Sequence, residues 1–265
     1  MAKEKGGLWV GVAAAVFYPV TNLLARRVLI GAERIPETGP ALLVMNHVSH
    51  IDPLYDAVCV RDRGRIPRFL AKNTLWDVPV LRKVLVATGQ IPVYRGTANA
   101  QQSLRDAHRA LEEGKVVVIY PEGTITRDPD GWPMQPRTGV ARLALDHDVP
   151  LIPVARWGTR SIYDGYNKKF RPVPRGTVTH RFGDPVDLSE FRARPASNAV
   201  LREVTDLLMG RVKDLLAEIR PEPAPAGFYQ PVRARAASNA GPESAGLPGP
   251  DAVDGGGERT GEAGS

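Results

Sequence analysis

Four β-branched residues in a row, Val116 to Ile119, stand between Gly114 and Pro121 in the run KVVVIY (115–120). A strand with one wet face alternates apolar and polar side chains. This run does not, so both of its faces are expected to be covered. The preceding stretch, 98–113, places Leu104, Ala107, His108 and Leu111 on one helical face and is closed by Gly114, which predicts a helix feeding the strand. The same alternation recurs along the chain. Strands are expected over 41–45, 68–71, 91–94, 151–155 and 178–182, and helices over 52–60, 80–88, 139–146 and 198–220. The pattern predicts a single α/β domain, a largely buried mixed sheet flanked by helices. There is no internal repeat, and neither GxxxxGK[ST] nor GxGxxG occurs.

The two ends differ from this body. Residues 6–25 carry no charge and are flanked by Lys3 and Lys5 and by Arg26 and Arg27. Twenty helical residues span about 30 Å, the thickness of a bilayer core. Pro19, Thr21 and Asn22 interrupt the run, and Leu23, Leu24, Val28, Leu29 and Ile30 continue it beyond the arginines. Residues 1–30 are therefore expected to be a membrane-anchoring apolar segment, two short helices in the interface with arginines at head-group level. A single span and a plain core helix or signal segment stay open. At the other end, residues 222–265 hold 15 Gly or Pro, and the segment is expected to be disordered. The formal net charge of the whole chain is +6, but residues 1–221 hold 32 basic against 23 acidic residues. The folded part, 31–221 on this reading, is accordingly expected to meet an anionic partner. Aromatic residues are 6% and not interleaved with the basic ones, which argues against nucleic acid. A lone cysteine, Cys59, excludes a disulfide framework.

The chemistry concentrates in loops after expected strands. In NHVSHIDP (46–53), His47 is a general-base candidate and Asp52 a carboxylate able to fix its tautomer. On one continuous helix the two would lie about 140° apart. The pair works only if His47 sits in the turn and Asp52 opens the helix, as Asp before Pro53 favours. A cap with a surface hydrogen bond is the plainer reading, and His47, His50 and Asp52 as metal ligands is another. Gly89 to Arg95 (GQIPVYR) ends a strand in a guanidinium suited to phosphate. Pro121-Glu122-Gly123-Thr124 follows the KVVVIY strand. In 149–154 (VPLIPV) two prolines bracket a strand start. Of these last three, taken alone, the first is a commonplace surface arginine after a strand, the second an ordinary turn and the third a purely structural edge.

In this order the four blocks resemble the lysophospholipid and glycerol-phosphate acyltransferase family, in particular the bacterial 1-acylglycerol-3-phosphate acyltransferases. The family's NHxxxxD block matches Asn46 to Asp52, its GxIxVxR-type block Gly89 to Arg95, its PEGT block Pro121 to Thr124 and its VPxxPV block Val149 to Val154. The likeness covers roughly residues 25–215. Thr74 stands where an acidic residue is common, and Arg137-Thr138-Gly139 replaces Lys-x-Gly. The resemblance implies a membrane-bound O-acyltransferase with the glycerol-phosphate acyltransferase-like fold, at the cytoplasmic face of the cell membrane. It implies that His47, oriented by Asp52, deprotonates the glycerol hydroxyl of lysophosphatidic acid, which attacks acyl-CoA or acyl carrier protein directly to give phosphatidic acid. Backbone amides after His47 would hold the oxyanion. Arg95 would bind the phosphate with Lys72 and Arg137 as helpers, and Gly89, Glu122, Gly123 and Thr124 would shape the acceptor site. No metal, cofactor or nucleic acid is implied. Another lysophospholipid or glycolipid acceptor, or a non-catalytic lipid-binding protein, are the alternatives.

Overall fold

The computed structural model describes Glu4, residues 6–94 and residues 100–231. Seven strands form one sheet: β1 (Ala25–Ile30), β2 (Ala41–Met45), β3 (Pro67–Lys72), β4 (Ile91–Val93), β5 (Val116–Ile119), β6 (Leu151–Trp157) and β9 (Gly176–Phe182). A two-stranded hairpin, β7 (Tyr163–Asp164) and β8 (Lys169–Phe170), leads into β9. The sheet order is β1-β9-β6-β2-β5-β3-β4. β6, β2, β5, β3 and β4 run parallel, whereas β9 is antiparallel to β6 and parallel to β1. The sheet is mixed, as expected.

The central strands β2 and β5 are buried at every residue. Successive side chains point to opposite faces. Leu42, Val44, Val117 and Ile119 join the core under α4 (Ala100–Glu112), α5 (Gly139–Asp146) and α6 (Asn198–Ala217). Ala41, Leu43, Met45, Val116 and Val118 join the opposite core, with Cys59 and Val60 of α2 (Asp52–Asp62). Covering both faces removes any place for a polar alternation, and this is why KVVVIY reads as an unbroken apolar run.

Two expectations at the ends are corrected. α1 (Leu8–Leu24) is helical, but residues 25–30 are a strand and not a second interfacial helix. Val28 and Ile30 are β-branched, and β1 completes the edge of the sheet along β9, from Ala25 opposite Gly176 to Ile30 opposite Arg181. Arg27 pairs with Asp62 at 2.6 Å. Among the described residues no helix is long and apolar enough to cross a membrane. The ordered body also runs past 221: Phe228 packs on the main core, and Tyr229 bridges to Met134. The rest of the expected tail, 232–265, lies outside the described residues.

Candidate active site

Parallel neighbours end at the same edge of a sheet, so the loops after β2, β5 and β6 meet there. The loop after β2 carries His47. Asp52 opens α2 with Pro53 in the first turn, which brings the two side chains together: His47 Nδ1 lies 2.8 Å from Asp52 Oδ2. Val48 N and Ser49 N also donate to Oδ2, at 2.7 and 2.8 Å, and Thr159 Oγ1 donates to Oδ1 at 2.5 Å. The turn is thus wound around one carboxylate. The amides expected to face an oxyanion are engaged by Asp52, because the turn is too tight to aim them outward. An ionised carboxylate only accepts, so Nδ1 carries the proton and Nε2 is left as the basic nitrogen.

Asp52 is fully buried. Burial pushes its carboxyl up, but the Arg156 guanidinium and the bonds from His47 and Thr159 outweigh this and hold it at about 2. Arg156, from β6, is also fully buried, and its Nη2 lies 2.5 Å from Asp52 Oδ2. Its Nη1 lies 2.7 and 2.5 Å from the oxygens of Asp56, one helical turn beyond Asp52. Asp56 further accepts from Tyr120 Oη at 2.5 Å and meets His180 Nε2 at 2.8 Å. Burial pushes Asp56 up and Arg156 and His180 pull it further down, so it too stays ionised. The Tyr120 ring stacks on His47, with centroids 4.3 Å apart and planes 13° from parallel.

The loop after β5 supplies Glu122. Its two oxygens accept from His47 N at 2.8 Å and Met134 N at 3.0 Å, so it pins the backbone of His47 to a distant loop. Burial raises its pKa to about 8, against the pull of those two amides. Gly123 has φ +72°, and a Cβ there would stand 3.2 Å from Arg137 Nε.

In front of His47 lies a cavity of about 810 Å³. One wall is α1, through Val10, Ala13, Ala14 and Phe17; the others come from α2, β3 and α3 (Pro79–Ala87), with Leu54, Ala57, Phe69, Leu81, Val84 and Leu85. Lys72, Gly123, Thr124 and His50 line it too. Gly89 stands in the turn between α3 and β4, with φ +67° and the Arg68 side chain against it. Arg137 flanks the 121–124 loop, where its backbone N–H donates to Pro121 O at 2.9 Å. Neither Gly89 nor Arg137 is among the residues lining the cavity. Arg95 lies outside the described residues. Among the described residues no three His, Cys, Asp or Glu side chains are placed to hold a metal.

Sequence reasoning missed Arg156, Asp56, Tyr120, Thr159 and His180 as a group. Two signals were available: an arginine inside the otherwise apolar run 151–157, and a second aspartate four residues after Asp52.

A solved 1-acyl-sn-glycerophosphate acyltransferase, PlsC of Thermotoga maritima, superposes with a TM-score of 0.60 over 81% of each chain at 24% identity, which establishes the fold. A 1-acyl-sn-glycerol-3-phosphate acyltransferase of Chlamydomonas reinhardtii is 26% identical over 78% of this chain and 60% of its own length. One of Borreliella burgdorferi is 27% identical over 51% and 53%. An uncharacterised protein of Mycobacterium tuberculosis is 32% identical over 50% and 37%. The chain thus spans less than two thirds of the length of these curated relatives. The acyltransferase family profile matches residues 26–157, from β1 to the last residue of β6, and the His47 loop, the Glu122 loop and Arg156 all fall inside that span: the chain belongs to the acyltransferase family.

Proposed function

We propose that the protein transfers a fatty acyl group from acyl-CoA or acyl carrier protein to the free hydroxyl of 1-acylglycerol-3-phosphate, giving phosphatidic acid. The observation that carries this reading is the His47–Asp52 pair at the end of an apolar cavity, with Nδ1 committed to Asp52 and Nε2 free to act as base. His47 Nε2 takes the proton of the acceptor hydroxyl as its oxygen attacks the thioester carbonyl. The tetrahedral intermediate collapses, the C–S bond breaks, and the imidazolium returns the proton to the departing thiolate. The acceptor oxygen is itself the nucleophile, so no acyl-enzyme forms. The hydrocarbon lining suits an acyl chain, and Lys72 in that lining suits a phosphate; Arg95 and Arg137 are the further cations this reading assigns to it. Glu122, Gly123 and Thr124 shape the acceptor side, and Gly89 allows the turn that leads to Arg95.

A bilayer surface is the partner that fits α1. Its inner face lines the cavity, while Leu8, Val12, Val16, Val20 and Leu23 form an exposed stripe; Leu8 and Leu23 are 80% and 77% exposed. Val78, Val80 and Val86, around and within α3, extend the apolar surface. A helix lying in the interface with this stripe down gives lipid substrates a path under α1 into the cavity.

The test is thioester consumption with lysophosphatidic acid against a panel of other lysolipid acceptors. Turnover is expected to be highest with the phosphorylated acceptor and to disappear in His47→Ala. Lys72→Ala and Arg95→Ala are expected to raise its KM more than they lower kcat. Undiminished turnover by folded His47→Ala would overturn the reading.

A further inference from the structure

Asp52 and Asp56 lie one turn apart on the same face of α2, and both are fully buried. Two carboxylates so placed repel each other and lose their hydration unless a cation compensates both. Among the described residues Arg156 is the side chain that touches both, with one end of its guanidinium on each. It also sets the start of the base-bearing loop. Arg156 Nη2 donates to Asn46 O at 2.7 Å, and the Asn46 side chain exchanges bonds of 2.8 and 2.9 Å with the Arg156 backbone.

His47 is restrained in two directions. Asp52 holds the ring in its own plane at Nδ1, and the stacked Tyr120 ring holds its face. Tyr120 is in turn tethered through its hydroxyl to Asp56. Asp56 is steadied from behind by His180, which stands opposite Arg156 in the β6–β9 register. Both restraints on His47 therefore end on the same guanidinium.

We propose that Arg156 is a positioning residue: through Asp52 on one side, and Asp56 and Tyr120 on the other, it keeps the His47 ring in the single orientation and Nδ1–H tautomer from which Nε2 takes a proton. This rests on His47 being the base of the proposed function. A planar fork with two donating edges spans two carboxylates at once, whereas a lysine ammonium reaches one at a time. Neither Asp56 nor Tyr120 need touch substrate for its loss to be felt, because the geometry of the base depends on both.

The experiment compares the full chain with Arg156→Lys and Tyr120→Phe by two readouts. One is the ¹⁵N NMR signature of the His47 ring nitrogens, assigned by their loss in His47→Gln. The other is steady-state acyl transfer. Arg156→Lys is expected to replace the single Nδ1–H tautomer by a mixture and to lower kcat about 10- to 100-fold, with both KM values within about twofold. Tyr120→Phe keeps the ring and loses only the tether, so a smaller fall of about 3- to 10-fold is expected. A folded Arg156→Lys protein with wild-type kcat and one tautomer would overturn the proposal. So would a variant that merely melts earlier while its folded fraction turns over normally. If Arg156→Lys does not fold, Tyr120→Phe decides by the same two readouts. The NMR arm needs no substrate, so a wrong choice of acceptor would show as failed turnover of the unaltered chain, and a His47 that is not the base as turnover retained in His47→Gln, without altering the answer on ring position.

Discussion

His47 has two very different sides. Behind it the protein is charged, dry and tightly paired: Asp52, Asp56, Arg156 and His180 are fully buried, and their hydrogen bonds run between 2.5 and 2.9 Å. Among the described residues, Arg156 Nε and His180 Nδ1 are the atoms left there without a partner. In front the protein is apolar and hollow, and α3, which forms part of that wall, buries none of its residues. The rear has one arrangement, because any displaced charge loses its partner in a medium that cannot replace it. The front is held by non-directional contacts and tolerates changes of shape. On the proposed function, this division suits a base that keeps one orientation while meeting flexible lipid chains.

The sharpest way to break the comparison is to remove the cation behind His47. Arg156→Met leaves two buried carboxylates uncompensated, and a loss of about 3–5 kcal/mol in thermal unfolding is expected. Neutralising the whole cluster, with Asp52→Asn and Asp56→Asn added, is expected to recover much of that loss, since the penalty is the unpaired charge rather than the missing attraction. A single-variant loss under about 1 kcal/mol would mean that water reaches the cluster and that the rear is not the dry side.

A milder probe is pH, and the two carboxyl groups beside His47 respond in opposite senses. Asp52 is held at about 2, below its ordinary 3.8. Its stabilising contribution, on the order of 2 kcal/mol, is fully present above pH about 4 and is lost as pH falls through 2. Glu122, raised from 4.5 to about 8, is protonated in the folded chain where the unfolded chain has released its proton. Stability is therefore expected to decline as pH rises from about 4.5 to 8, and Glu122→Gln should flatten that slope. Thermal unfolding across pH 2–9 on both proteins measures both effects. An unchanged slope in Glu122→Gln would place the titrating group elsewhere.

What could be read from the sequence divides along the same line. The His47–Asp52 pair was legible because its logic is local: five residues, a strand end, and an Asp-Pro helix start. The central sheet was legible because strands covered on both faces must be continuously apolar, as in 116–119. Arg156 was not, because its bonded partners come from α2 and the loop after β2, with Tyr120 after β5 and His180 of β9 beside them, and the pairing of β2 with β6 and of β6 with β9 brings these together. The strand 25–30 was hidden for a related reason. Arg26 and Arg27 next to an apolar helix look like head-group anchors until β9 is seen to need an edge partner. Composition also misplaced the end of the ordered body, since averaging over 222–265 dilutes Phe228 and Tyr229, which pack on the domain.

The smallest expected effect lies in front. Leu81 and Val84 line the cavity from α3 and are only half-buried, so truncating either to Ala removes few protein contacts. A stability change within about 1 kcal/mol is expected, far below the 2–5 kcal/mol typical of a core leucine. The change should appear in substrate preference instead. Removing the isopropyl group of Leu81 or two methyl groups of Val84 widens the space for an acyl chain, and each additional methylene buried is worth about 0.8 kcal/mol. Thermal unfolding, together with kcat/KM over a series of acyl donors, separates the two. If Leu81→Ala destabilises by more than about 2 kcal/mol and leaves the donor profile unchanged, α3 is core rather than wall, and the two sides of His47 differ in polarity alone and not in how firmly they are built.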